Sequence, residues 1–157
     1  MSPLRETRLV RASVPSTATF LEAARALFGT GISAIAVLDA DQRVAGLFAD
    51  DDLLRGLFPG YLGDLHHTAF LREEPDALAA RLEEASGDPV ERHMREPMTV
   101  EIEASAIHVA ERFLHSPWGA LAVVEKERFV GMVDQVDFVE TLMRQLGMEG
   151  AEGASSS

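Results

Sequence analysis

The sequence contains no cysteine, one tryptophan and one tyrosine, and far fewer cations than anions: 14 Lys and Arg against 26 Asp and Glu. The lack of cysteine excludes a disulfide framework, a thiolate metal site and a cysteine nucleophile. No apolar run approaches the roughly 18 residues that a membrane span needs. The opening MSPLRETRLVRA lacks the apolar stretch of a signal peptide. A cytoplasmic protein without a membrane role is the simplest expectation. A net charge of −12 and a pI near 4.7 repel DNA, RNA and anionic lipid at long range, so nucleic-acid binding is not expected. There is no phosphate-binding P-loop, no GxSxG and no HExxH, so nothing points to catalysis.

What the chain does have is a repeat. RVAGLFADDDLLRGL (43–57) reads against RFVGMVDQVDFVETL (128–142). In each, an apolar strand reaches a glycine (Gly46, Gly131), followed by an apolar pair (Leu47 and Phe48; Met132 and Val133). An aspartate stands six residues past each glycine (Asp52, Asp137), and a helical pattern follows; glycines and aspartates alike lie 85 residues apart. Upstream, SAIAVLD (33–39) reads against GALAVVE (119–125), shifted by 86. Helical segments precede both. Phe20, Ala23, Ala24, Leu27 and Phe28 form one expected stripe, and Ile107, Ala110, Phe113 and Leu114 the other. Thr19 with Glu22 fits a capping box, and Ser105 a second cap. Met98, Val100 and Ile102 alternate as a strand would, and the first strand of the first copy is expected at about 9–14. A unit of about 50 residues buries too little surface to stand alone, so the two copies are expected to pack on each other.

The order of helix, GISAIAVLD, RVAG and DDDLL resembles the cystathionine β-synthase (CBS) domain, and two copies resemble the tandem arrangement called a Bateman module. VERHMREPMTV is similar to that family's lead-in to a second repeat. The resemblance implies an α/β (α+β) fold: two β-α-β-β-α repeats packed by their sheets about a pseudo-twofold axis, with a helical insert between them. The expected organisation is a first repeat at 9–58, an insert with a short helix at 59–87, a second repeat at 88–146 and a disordered tail at 147–157. The family further implies a non-catalytic regulatory module, commonly a homodimer, that requires no cofactor. In many members the clefts between repeats bind AMP, ADP, ATP or S-adenosylmethionine. Such modules act on enzymes, channels or transporters, so an unknown regulated protein is an expected partner.

The family's ligand signature is glycine, two apolar residues, Thr or Ser, two variable positions, then Asp. Here the aspartates stand as Asp52 and Asp137, while the hydroxyl position holds Ala49 in one copy and Asp134 in the other. A carboxylate at the helix start accepts hydrogen bonds from ribose hydroxyls. Asp134 would set a negative charge where a phosphate should lie. Both aspartates also suit helix capping and the helix dipole, so two readings stay open for each. Leu47 and Met132 flank these positions. By resemblance, adenine would lie against Ile32, Ser33 and Ala34, or Trp118, Gly119 and Ala120. Trp118 would stack on a base or act in packing. Arg5, Arg8, Arg11, Arg92, His93 and Arg95 are the cations available to offset the acidic field.

Three other patterns carry less. GTGISA (29–34) matches a dinucleotide fingerprint by letters, but its strand and helix come in the wrong order. Asp64, His66 and His67 are metal candidates in the insert, although no metal is expected. His108, Glu111, Arg112 and His115 are expected on a solvated helix face. Two functions are carried forward: a sensor of an adenosine-containing small molecule, and a ligand-free module for dimerisation or partner binding.

Overall fold

The computed structural model describes residues 2–58 and 75–148. The first repeat is β1 (Ser13–Pro15), α1 (Phe20–Leu27), β2 (Ala34–Leu38), β3 (Val44–Ala49) and α2 (Asp50–Leu57). Helix α3 (Pro75–Ser86) stands between the two repeats. The second repeat is β4 (Thr99–Glu101), α4 (Ala106–Leu114), β5 (Ala120–Glu125), β6 (Arg128–Asp134) and α5 (Gln135–Gln145). Each repeat makes one three-stranded sheet, β1-β2-β3 or β4-β5-β6; the first pair is parallel and the second antiparallel. The β-α-β-β-α order expected from the repeat is present in both halves.

Local chemistry explains the helix starts. Thr19 accepts a hydrogen bond from the Glu22 N–H, and Ser105 from the His108 N–H, so each hydroxyl satisfies an orphan donor of the first turn. Phe20, Ala23, Ala24 and Leu27 are buried as expected, but Phe28 is exposed because the helix has already ended and its ψ is 138°. On α4 the expected stripe holds only in part, with Ala110 and Phe113 against the second core. Val109 and Phe113 are buried, whereas Ile107 is 83% and Leu114 81% exposed. Arg112 is also not merely solvated: its Nε donates to the Thr99 carbonyl at 3.0 Å. The first strand lies at 13–15 rather than 9–14, with Val10 making a separate bridge.

The two halves exchange their lead-in segments. Val10 pairs with Met132 of the second sheet, and Arg95 pairs with Leu47 of the first; both N–H···O bonds form in each pair, at 2.7–3.0 Å. Leu4, in a 3-10 turn at Pro3–Glu6, lies in the core of the second repeat with Val109, Phe113 and Phe138. Val90, in the turn Val90–Arg92, lies in the core of the first with Phe20, Ile35 and Phe48. Along β5 the side chains divide by strand alternation. Leu121 and Val123 face their own helices, while Ala120 and Ala122, with Met132, join the first repeat's core. Burying a Leu or Phe contributes about 1.5–3 kcal/mol, so each half lacks part of its stabilisation without the other.

Candidate functional site

Asp52 is the buried carboxylate of the first repeat, only 4% exposed. Helix α2 begins at Asp50 with Ala49 as its N-cap, and Ala49 has no side-chain oxygen to close the first turn. Asp52, three residues on, closes it instead: its Oδ2 accepts the Ala49 N–H at 2.9 Å, which is half of a capping box. Its Oδ1 accepts a hydrogen bond from Arg95 Nε at 2.9 Å, and Arg55 Nη1 stands 3.6 Å from the same oxygen. Arg95 arrives on the lead-in of the second repeat, so this pair ties the two halves together. A cleft of about 520 Å³ opens beside it, lined by Met94–Met98, Pro117 and Trp118.

Trp118 stands where the halves meet. Its carbonyl accepts the Ser33 hydroxyl, its ring lies 5.9 Å from the Arg95 guanidinium carbon, and it packs against the first repeat's core. Its indole Nε1 is buried without a hydrogen-bond partner. Trp118 also lines a second cleft of about 460 Å³ with Gly119, Asp134, Gln135, Val136, Val139 and Glu140. Gly119, at φ 65°, accepts the Gln135 N–H through its carbonyl, which fixes the start of α5 against the turn before β5. Asp134 caps α5: its Oδ1 accepts the Val136 N–H at 2.9 Å. Asp137 is half-buried, and among the described residues its carboxylate takes no hydrogen bond.

The surroundings of the two signature aspartates therefore differ in charge. Counting 85 residues on from the first repeat, Asp52 corresponds to Asp137, Arg55 to Glu140, and Arg95 on its lead-in to Val10 on the other. Two cations face the first aspartate; their counterparts at the second are apolar and acidic.

Not every residue singled out from the sequence reaches a cleft. Leu47 and Met132 have fully buried side chains in the core and meet the opposite lead-in through their backbones. Ala34, Ala49 and Ala120 are fully buried as well. Ile32 is half-buried against the core, and Ser33 caps the wall between the clefts. Of the six cations, Arg95 alone pairs with a signature aspartate. Arg5 is held by Glu103 and Glu125 away from both clefts, and His93 pairs with Asp88 at 3.1 Å against the Phe20 ring. Arg8, Arg11 and Arg92 are exposed. Among the described residues no cluster could hold a metal ion; Asp64, His66 and His67 lie outside them. No helix among those residues is long and apolar enough to cross a membrane.

Two sheets related by a pseudo-twofold, with exchanged lead-ins and an aspartate at each final helix, define a tandem-repeat module with paired clefts. The CBS domain profile matches residues 8–58 and 90–144, and the chain belongs to that family as a tandem CBS pair. No curated protein matches the sequence. Among solved structures, a CBS domain-containing protein of unknown function from Kribbella flavida is 18% identical, with a TM-score of 0.73 over 91% of this chain and 99% of that one. A CBS-pair protein from Arabidopsis thaliana is 16% identical, with a TM-score of 0.70 over 94% and 98% of the two chains. A CBS domain protein from Pyrobaculum aerophilum, complexed with AMP, is 18% identical with a TM-score of 0.62 over 87% and 89%. At these identities the likeness is one of fold.

Proposed function

We propose that the chain is a non-catalytic regulatory module that senses an adenosine-containing small molecule in the first cleft. The observation that carries this reading is Asp52, a buried carboxylate at a helix start, paired across the repeats with Arg95, which lines a cleft together with the Trp118 ring. A carboxylate there can receive ribose hydroxyls, and the ring offers a face to a base. The AMP complex of the Pyrobaculum protein supports the ligand class. Binding would shift the angle between the repeats and so bias a contact with a regulated enzyme or transporter. Isothermal titration with AMP, ADP, ATP and S-adenosylmethionine tests it. Heat is expected with at least one of the four and should vanish in Asp52→Ala. Silence from all four at millimolar concentration removes the sensor reading.

A second reading has its own observation. Ile107 and Leu114 on α4, and Val136, Val139 and Leu146 along and just past α5, are exposed apolar residues on two adjacent helices, which touch through Phe113 and Phe138 at 5.5 Å. Exposed apolar residues gathered on neighbouring helices are what an interaction surface is built from. It supports homodimerisation, with or without ligand.

A further inference from the structure

The first cleft is occupied by the protein's own cation. Arg95 holds Asp52 Oδ1 through Nε at 2.9 Å, and its guanidinium stands 5.9 Å from the centre of the Trp118 ring. These are the two groups on which an adenosine ligand would rely. The Arg95 main chain is fixed by its two bonds to Leu47, at 2.9 and 3.0 Å, so vacating the cleft falls to the side chain. That side chain is 40% exposed, so solvent reaches it on one side. When it leaves, Arg55 still stands 3.6 Å from the carboxylate.

We propose that Arg95 is the specificity-determining residue of this cleft, closing Asp52 to uncharged adenosine compounds and yielding only to a ligand that carries its own phosphate. The inference rests on the adenosine-ligand reading above. Adenosine would have to pull the carboxylate from a charge-assisted bond and leave the guanidinium with no anion in exchange. AMP offers a phosphate that a guanidinium can grip through two N–H donors, so one anion replaces another. The need for such a cation is acute here. Ala49 supplies no hydroxyl at the helix start, and Glu96 also lines the cleft. In the other repeat the corresponding positions are Val10 and Glu140, which supply no such cation.

The test titrates the full chain with AMP and with adenosine, as wild type, Arg95→Ala and Arg95→Lys. Wild type should prefer AMP by about tenfold or more. Arg95→Ala should weaken AMP and strengthen adenosine, erasing the preference, while Arg95→Lys, with one ammonium and no fork, should keep part of it. Equal binding of the two ligands by wild type, or a ratio untouched in Arg95→Ala, overturns the role of Arg95 and leaves the adenosine site standing. If neither ligand binds any of the three proteins, the adenosine reading falls and takes this inference with it. Because Arg95 pairs with the sheet through its main chain, thermal melts should show all three proteins folded.

Discussion

Gly46 and Gly131 show how one residue serves two halves. A Cβ at Gly46 would lie 2.6 Å from the Arg95 carbonyl oxygen and 2.7 Å from the Met94 sulfur; at Gly131 it would lie 2.9 Å from Leu9 Cβ and 3.4 Å from the Val10 carbonyl oxygen. Each glycine is therefore the place where the opposite lead-in crosses its strand. At Gly46 the nearest obstacle is a backbone oxygen already hydrogen-bonded to Leu47, whereas at Gly131 only Leu9 Cβ, which moves with its main chain, comes within 3.0 Å. Gly46→Ala should cost about 1–3 kcal/mol, as overpacking does, and Gly131→Ala distinctly less. Urea unfolding of the two variants measures the difference. Equal losses would mean that the two crossings are equally yielding.

At the scale of elements, the hairpins of the two repeats close differently. Strands β5 and β6 are joined by Lys126 and Glu127 alone, with φ of 51° and 69°. Two successive positive φ values suit Asn-Gly and strain side chains such as these. Glu127→Gly should stabilise the protein by about 1 kcal/mol in chemical denaturation. The ion pair it removes, Arg43 with Glu127 at 3.0 Å, is exposed on both sides and worth little. A destabilised variant would show that the ion pair outweighs the strain.

Most elements were legible in the sequence because the duplication states each of them twice. Where one copy was ambiguous the other fixed its type, though not its facing. Helix α4 carries apolar residues on two faces, so its period fits a stripe through Ile107 and Leu114 as well as the buried one through Val109 and Phe113. A single helix cannot say which of two stripes its own core takes. The Asp52–Arg95 pair was beyond reach for a related reason: the residues lie 43 apart and meet only because the lead-ins cross. Likewise Gly46 and Gly131 read as strand ends, but they lie inside β3 and β6, where the opposite lead-in crosses.

At the scale of the whole molecule, the exposed face of α4 and α5 should settle the assembly state. Val139, 44% exposed, lies on that face and outside the first cleft. Light scattering of the wild type should give a dimer, and Val139→Glu should shift it to the monomer mass without loss of helical signal, because buried like charges oppose association. A wild-type monomer at high concentration, or a variant dimer, would contradict this use of the face.

Trp118 is the chain's single tryptophan and belongs to the wall common to both clefts. The protein's tryptophan fluorescence thus comes from one address, set between Arg95 and the first repeat's core. An occupant of either cavity alters the surroundings of the same indole, and so does any parting of the halves. The molecule carries its own dye at the one seam where loading and opening both leave a trace.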